Sequence, residues 1–220
     1  HASLTYYFGI DSEDLEVSVY DIFTRGSSMK SEEILQALCP STIENLDILP
    51  ATMGLATLDR SLGNKGGMGL VLKKALAKIT NEYDYVLIDC PPVLGVLMVN
   101  ALAACDRIIV PSQTEFLALK GLDRMIRTME IMQVEQDKPF TYTIAPTMFD
   151  KRTKASVQAY LKMQELYGKT VWPGVIPIDT NFRNASTDQK VISDYAASSR
   201  GTLAYRNLVD YLIMLDVKNR

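Results

Sequence analysis

The chain has 220 residues, of which 47% are hydrophobic and 22% charged. This suits one α/β domain with a substantial core and argues against global disorder or low complexity. A single histidine, His1, argues against a Ser-His-Asp hydrolase or a histidine-rich metal site. Three cysteines (Cys39, Cys90, Cys105), odd in number and without a C-x-x-C, argue against a disulfide framework or zinc site and for a reducing compartment. The longest apolar stretch, residues 93–105, is interrupted by Asn100 and is too short to span a membrane, so neither a transmembrane segment nor a secretory leader is expected. The net charge of −3 is uneven: residues 1–150 carry 12 Lys and Arg against 20 Asp and Glu, and residues 151–220 carry 11 against 6. A basic final third marks either a polyanion-facing surface or an ordinary solvated one.

In chain order, apolar spacing predicts short helices over residues 3–8, 17–23 and 32–38, the last N-capped by Ser31. Residues 46–49 read as a strand closed by Pro50, 58–62 as helix, and 70–79 as a helix with Lys73, Lys74 and Lys78 outward. Residues 85–88 are expected as a strand buried on both faces, followed by a helix over 94–104. Next come a strand over 107–110 closed by Pro111, a long amphipathic helix over 116–132, and a strand over 141–145 closed by Pro146. A helix over 155–167 ends at Gly168, a short strand over 171–176 is interrupted by Pro173, and a helix over 201–215 closes the chain. Strands alternating with helices predict an α/β fold, a mostly parallel sheet with helices on both faces, built as a single domain over 1–220. Ligands of such sheets sit beyond the carboxyl ends of the strands, which selects the loops 89–95, 111–115, 146–152 and 177–185.

Four apolar positions, Val86-Leu87-Ile88 after Tyr85, lead to Asp89. A strand that delivers a carboxylate in this way can hold Mg2+ through a water at a nucleotide site, or its aspartate can simply cap the next helix. Pro91, Pro92 and Gly95 follow, either as a stiff loop placed to sense a terminal phosphate or as a rigid strand-to-helix connection. Lys65-Gly66-Gly67-Met68-Gly69 imitates a phosphate-binding loop, but Leu70 and Val71 stand where the lysine and hydroxyl belong, and no strand precedes it. It is expected as a loop leading into a helix. Cys90 is expected as a small buried hydrophobe.

The run Tyr83-Asp84-Tyr85-Val86-Leu87-Ile88-Asp89-Cys90-Pro91-Pro92 resembles the Walker-B region of ParA/MinD-type ATPases, P-loop proteins of the SIMIBI class with a deviant Walker A. Asp106-Arg107-Ile108-Ile109-Val110-Pro111, with Glu115 and Ala118-Leu119-Lys120-Gly121-Leu122, resembles their next strand and helix. The segment from Pro146 to Thr153 resembles the family's base-side loop. Ile176-Pro177, Phe182-Arg183-Asn184-Ala185 and Ser199-Arg200-Gly201 with Ala204-Tyr205 resemble its C-terminal signature. The resemblance runs the length of the chain and favours ParA over MinD, because the final helix lacks the basic face of a membrane-surface helix. Asn184 and Ser186 depart from the acidic residue and proline common there. The deviant Walker A and the D-x-D-P aspartate have no counterpart in these residues. The resemblance therefore implies an N-terminally truncated chain, shorter than its natural form by about forty residues, the size of a βαβ unit and its strand.

What the resemblance implies is a full-length protein that is an ATPase, uses ATP and Mg2+, forms an ATP-dependent homodimer and binds DNA nonspecifically; whether these 220 residues alone hydrolyse ATP stays open. A ParB-like or polar, chemotaxis-associated adaptor would stimulate hydrolysis. Asp89 would orient Mg2+, Pro91, Pro92 and Gly95 would form the switch, and Thr147, Met148 and Pro177 would lie near the adenine. Arg152, Arg183 and Arg200 would meet DNA phosphates. The cargo would be a chromosome or plasmid, or flagellar or chemotaxis machinery, with the protein cytoplasmic and nucleoid-associated or polar. Residues 176–186 resemble chemotaxis-associated relatives more than plasmid ones. A non-catalytic interaction module derived from the same fold remains the alternative. A metal-cluster reductase fits poorly, since Cys90 and Cys105 give it little support.

Overall fold

The structure, a computed structural model, describes residues 2–62, 68–91, 93, 95–133 and 139–218. Backbone contacts divide the chain into two compact units, His1–Cys105 and Asp106–Arg220. Among the described residues no helix is long and apolar enough to cross a membrane.

The first unit contains α1 (Ser3–Tyr7), α2 (Val19–Arg25), α3 (Ser31–Gln36), β1 (Cys39–Pro40), β2 (Asp47–Ile48), α4 (Gly54–Leu62), α5 (Val71–Leu76) and α6 (Val96–Ala104). A capping box starts α2: Ser18 Oγ accepts the Tyr20 amide at 3.1 Å, and Asp21 accepts the Ser18 amide at 2.8 Å. Neighbouring residues of α2 then enter different clusters. Ile22 packs with Met29, Ile34, Ala75 and Ile79, whereas Phe23 packs with Leu58, Leu72 and Val96. Ser31 does not cap α3; it is the first helical residue, and Glu33 reaches back to accept the Lys30 amide at 2.8 Å. The strand expected over 46–49 is realised as β2, which pairs antiparallel with β1 in a two-stranded sheet.

The strand expected over 85–88 does not form. The segment joins no ladder, and Tyr85, Val86 and Leu87 are 72%, 52% and 84% exposed. Ile88 alone of the four is anchored, against the Phe23–Leu58–Leu72–Val96 cluster. The cause is the lack of a partner. An apolar run becomes a buried strand only where a ladder and covering layers meet it, and the described strands of this unit are β1 and β2, which pair with each other. Helix α6 shows the opposite outcome. It is apolar nearly all round, and Val96, Met98, Ala101 and Leu102 are buried.

The second unit contains β3 (Ile108–Gln113), α7 (Phe116–Gln133), β4 (Tyr142–Thr147), α8 (Lys154–Tyr167), α9 (Asn181–Thr187), α10 (Ile192–Tyr195) and α11 (Arg200–Lys218). β3 and β4 are parallel, in register from Ile108 opposite Tyr142 to Gln113 opposite Thr147. Neither Pro111 nor Pro146 closes its strand, contrary to expectation. The Ile108 and Thr114 amides donate to Thr141 and Thr147 carbonyls, so even-numbered β3 residues face β4 and the amide that Pro111 lacks points the other way. The strand expected over 171–176 shrinks to isolated parallel bridges, Val171 with Ile144 and Phe149 with Pro177. Pro146 lacks the amide that would face this segment, and between those bridges Trp172 donates to Ile144 and Ile176 donates to Pro146. Ala145, Trp172 and Ile176 form a core with Ala204 and Leu208 of α11. Arg107 ties α11 back to the start of β3 by donating to Asp216 at 2.6 and 3.1 Å.

Candidate functional site

In the first unit, Asp89, Cys90 and Pro91 are exposed along the extended segment; Pro92 lies outside the described residues, as do Lys65, Gly66 and Gly67. The exposed thiol corrects the expectation of a buried Cys90. Gly95 is the N-cap residue of α6 and offers it no side-chain cap. The cap comes instead from α4: Asp59 Oδ1 accepts the Leu97 amide at 3.0 Å. The approach is so close that a Cβ on Gly95 would lie 2.2 Å from the Asp59 carboxylate. Five residues after Gly95, fully buried Asn100 accepts the Leu72 amide at 3.0 Å and donates to the Met68 and Val96 carbonyls at 2.7 and 2.8 Å. Thus α6, which receives the chain from Asp89, is fixed to α4 at its start and to the beginning of α5 along its length.

In the second unit, the strand ends gather the base-side residues. Thr147 ends β4, and Met148 takes a left-handed φ of 53°, a backbone that an unbranched L-residue adopts only when its surroundings impose it. Phe149 then donates to Ile176 at 3.0 Å and accepts from Ile178 at 3.2 Å, which brings Pro177 beside the Thr147–Met148 turn. Beneath the turn, Thr114 Oγ1 and Ser156 Oγ meet at 2.7 Å, and Ser156 also accepts the Asp150 amide at 3.0 Å. Asp150 clasps Arg152 through two hydrogen bonds of 2.8 and 2.9 Å. These bonds, the Arg152 amide and the nearby charge of Arg200 hold the Asp150 carboxyl down at about 2.

Arg200 is exposed at the start of α11, with Nη2 donating to the Ile178 carbonyl at 3.3 Å. Arg183 is exposed too, but it stands on α9 and not in the loop expected over 177–185. Asp179 accounts for that helix: one oxygen accepts the Asn181 amide at 3.0 Å and the other accepts the Gly201 amide at 2.9 Å. Foremost the Gly201 amide, then the Asn181 amide and the Ser199 hydroxyl, lower its carboxyl from the usual range. A largely apolar groove of about 500 Å³ runs past Pro177 and Arg200, lined also by Trp172, Gly174, Leu203 and Asn207. Sequence reasoning missed Asp59, Ser156 and Asp179. Of these only Asp179 carried a local signal, an acidic residue two positions before a helix start.

A family model described as an AAA domain matches residues 1–142. The solved cobyrinic acid a,c-diamide synthase of Mycobacterium smegmatis, with bound ADP and magnesium, superposes with a TM-score of 0.80 at 31% identity, covering 99% of this chain and 79% of that one. The septum site-determining protein MinD of Pyrococcus horikoshii, 20% identical, shares the fold with a TM-score of 0.70 over 98% of this chain and 80% of its own. The class is therefore the α/β P-loop NTPase fold, helical with a parallel sheet. Two curated relatives narrow it. The sporulation initiation inhibitor protein Soj of Bacillus subtilis is 33% identical over 201 residues, 91% of this chain and 78% of its own length. The chromosome-partitioning ATPase Soj of Treponema pallidum is 30% identical over the same shares. The chain belongs to the ParA family of P-loop ATPases.

Proposed function

We propose that this protein is a Mg2+-dependent ATP hydrolase of the ParA type that positions cellular cargo, with both compact units serving one ATPase domain over 1–220. The observation that carries the reading is the convergence of Thr147, Met148 and Pro177 at the carboxyl ends of parallel strands, held by Thr114 and Ser156 around a left-handed Met148. Asp89 suits the metal. Mg2+ at nucleotide sites is held by one or two carboxylates and the substrate's phosphates, not by an all-protein cage, and Asp89 is an exposed carboxylate that could reach it. Bound Mg2+ would neutralise charge on the phosphate oxygens. Asp89 would hold a metal-bound water, Pro91, Pro92 and Gly95 would transmit phosphate occupancy into α6, and Thr147, Met148 and Pro177 would flank the base.

The finer reading is an ATP-dependent homodimer that binds DNA nonspecifically through Arg152, Arg183 and Arg200. A ParB-like or polar, chemotaxis-associated adaptor would stimulate hydrolysis, with a chromosome, a plasmid, or flagellar or chemotaxis machinery as cargo. The protein would then lie in the cytoplasm, on the nucleoid or at a pole. The relatives' names and the basic final third of the chain support it. The test is MgATP binding and turnover by the full-length protein and by its Asp89→Ala variant, with sedimentation run with and without nucleotide. Turnover reduced by about 100-fold in the variant, with dimer formed only with MgATP, is the expected result. A full-length protein that neither binds nor hydrolyses MgATP, and in which Asp89→Ala changes nothing, would replace this reading with the non-catalytic interaction module.

A further inference from the structure

Helix α6 follows the loop that leaves Asp89, so the placement of its first turn sets where that loop ends. The residue at its N-cap position, Gly95, has no side chain to supply a cap, and the Leu97 amide is capped instead by Asp59 on α4, 38 positions before Leu97. Two features make this contact specific. Only a glycine at position 95 leaves room for the carboxylate, since a Cβ would stand 2.2 to 2.7 Å from its atoms. A negative side chain at a helix start also meets the positive end of the helix dipole, so Asp59 is favoured there by charge as well as by its hydrogen bond. The second attachment of α6, Asn100, differs in kind. It is fully buried with three hydrogen bonds and holds the body of the helix. Asn100 therefore secures the fold, while Asp59 secures only the end that faces the loop.

We propose that Asp59 is a positioning residue for the loop from Asp89 to Gly95, acting through the amide of Leu97. The consequence for turnover rests on the ATPase reading above; the consequence for local order does not. The test combines amide hydrogen exchange with steady-state MgATP kinetics on the full-length protein, for Asp59→Ala, Asp59→Asn, Gly95→Ala and the Asp59→Ala/Gly95→Ala double variant. Asp59→Ala is expected to speed exchange at Leu97 by about fivefold or more, the factor lost with an N-cap, and to leave the Leu72 amide, held by Asn100, within about twofold. Its kcat is expected to fall by about tenfold with KM little changed. Asp59→Asn, which caps a helix as well as aspartate does, is expected to keep both. Gly95→Ala is expected to expel the carboxylate and mimic Asp59→Ala, and the double variant to lose no more than either single one. Unchanged exchange at Leu97 in Asp59→Ala overturns the proposal, as does equal loss of protection at Leu72, which would make Asp59 a general support of the fold. Exchange altered as expected with kcat intact overturns the role in turnover. A full-length wild-type protein without turnover counts against the ATPase reading and leaves the exchange results to decide this one.

Discussion

Asp179 accepts the Asn181 amide with one oxygen and the Gly201 amide with the other, so a single side chain serves the starts of α9 and α11. Replacing it with alanine removes two caps and is expected to cost about 1–3 kcal/mol in urea unfolding monitored by circular dichroism. Asparagine has one acceptor oxygen where aspartate has two, so Asp179→Asn is expected to recover about half of that loss. The same amides depress the Asp179 carboxyl in the folded chain. Its contribution is then present above its unfolded pKa and disappears as the pH falls through the lower folded value, so the stability gap between the native chain and Asp179→Ala narrows on acidification. Asp59 and Asp179 both work by capping a helix, but only Asp179 stands beside one of the helices it serves. That is why the sequence offered some sign of Asp179 and none of Asp59, whose partner amide is 38 residues away.

Among the elements, the long helices α7, α8 and α11 were legible from apolar periodicity alone, because 14 to 19 residues give the pattern several turns in which to repeat. Helices α9 and α10, of seven and four residues, gave it no such room: residues 177–185 read as loop, and no element is read over 192–195. The prolines misled in a different way. Pro111 and Pro146 read as strand ends, since the sequence does not say which edge of a strand their missing donors face. The segment 85–88 is the reverse case. Its composition is that of a buried strand, but burial depends on a neighbour that the segment itself does not encode. The difference between its side chains is measurable: Leu87→Ala is expected to change unfolding free energy by less than about 0.5 kcal/mol, as at other exposed positions. Ile88→Ala, which removes a contact with the Phe23–Leu58–Leu72–Val96 cluster, is expected to cost about 1–2 kcal/mol by the same urea titration. The exposed Tyr85-Val86-Leu87 run is also a surface to which other extended chains can pair, so Leu87→Lys is expected to raise solubility without loss of stability.

At the scale of the whole molecule, the excess of positive charge over residues 151–220 falls within the second unit, together with Arg152, Arg183 and Arg200. If these three side chains meet DNA phosphates, log K should fall with log salt, and each Arg→Ala change should make that slope shallower by about 0.9. Arg152 enters such a contact already held by Asp150, so its replacement is expected to weaken binding least of the three. The salt dependence of binding to a random-sequence duplex, measured with MgATP for each variant, checks both statements. The base-side loops were legible as loops at strand ends, but the support beneath them was not. The Thr114–Ser156 contact joins residues 42 apart, and nothing in either local sequence announces the other.

Trp172, buried with its ring folded over Gly174 in the core that joins β4 to α11, has one further consequence. It is the only tryptophan in the chain. Its intrinsic fluorescence is therefore a built-in optical reporter of the second unit, silent about the first. A denaturation followed in parallel by tryptophan emission and by far-ultraviolet circular dichroism sets one unit's melting against the molecule's. Superimposable curves mean that the two units unfold as one cooperative body, and separated curves give each its own midpoint, with no label attached.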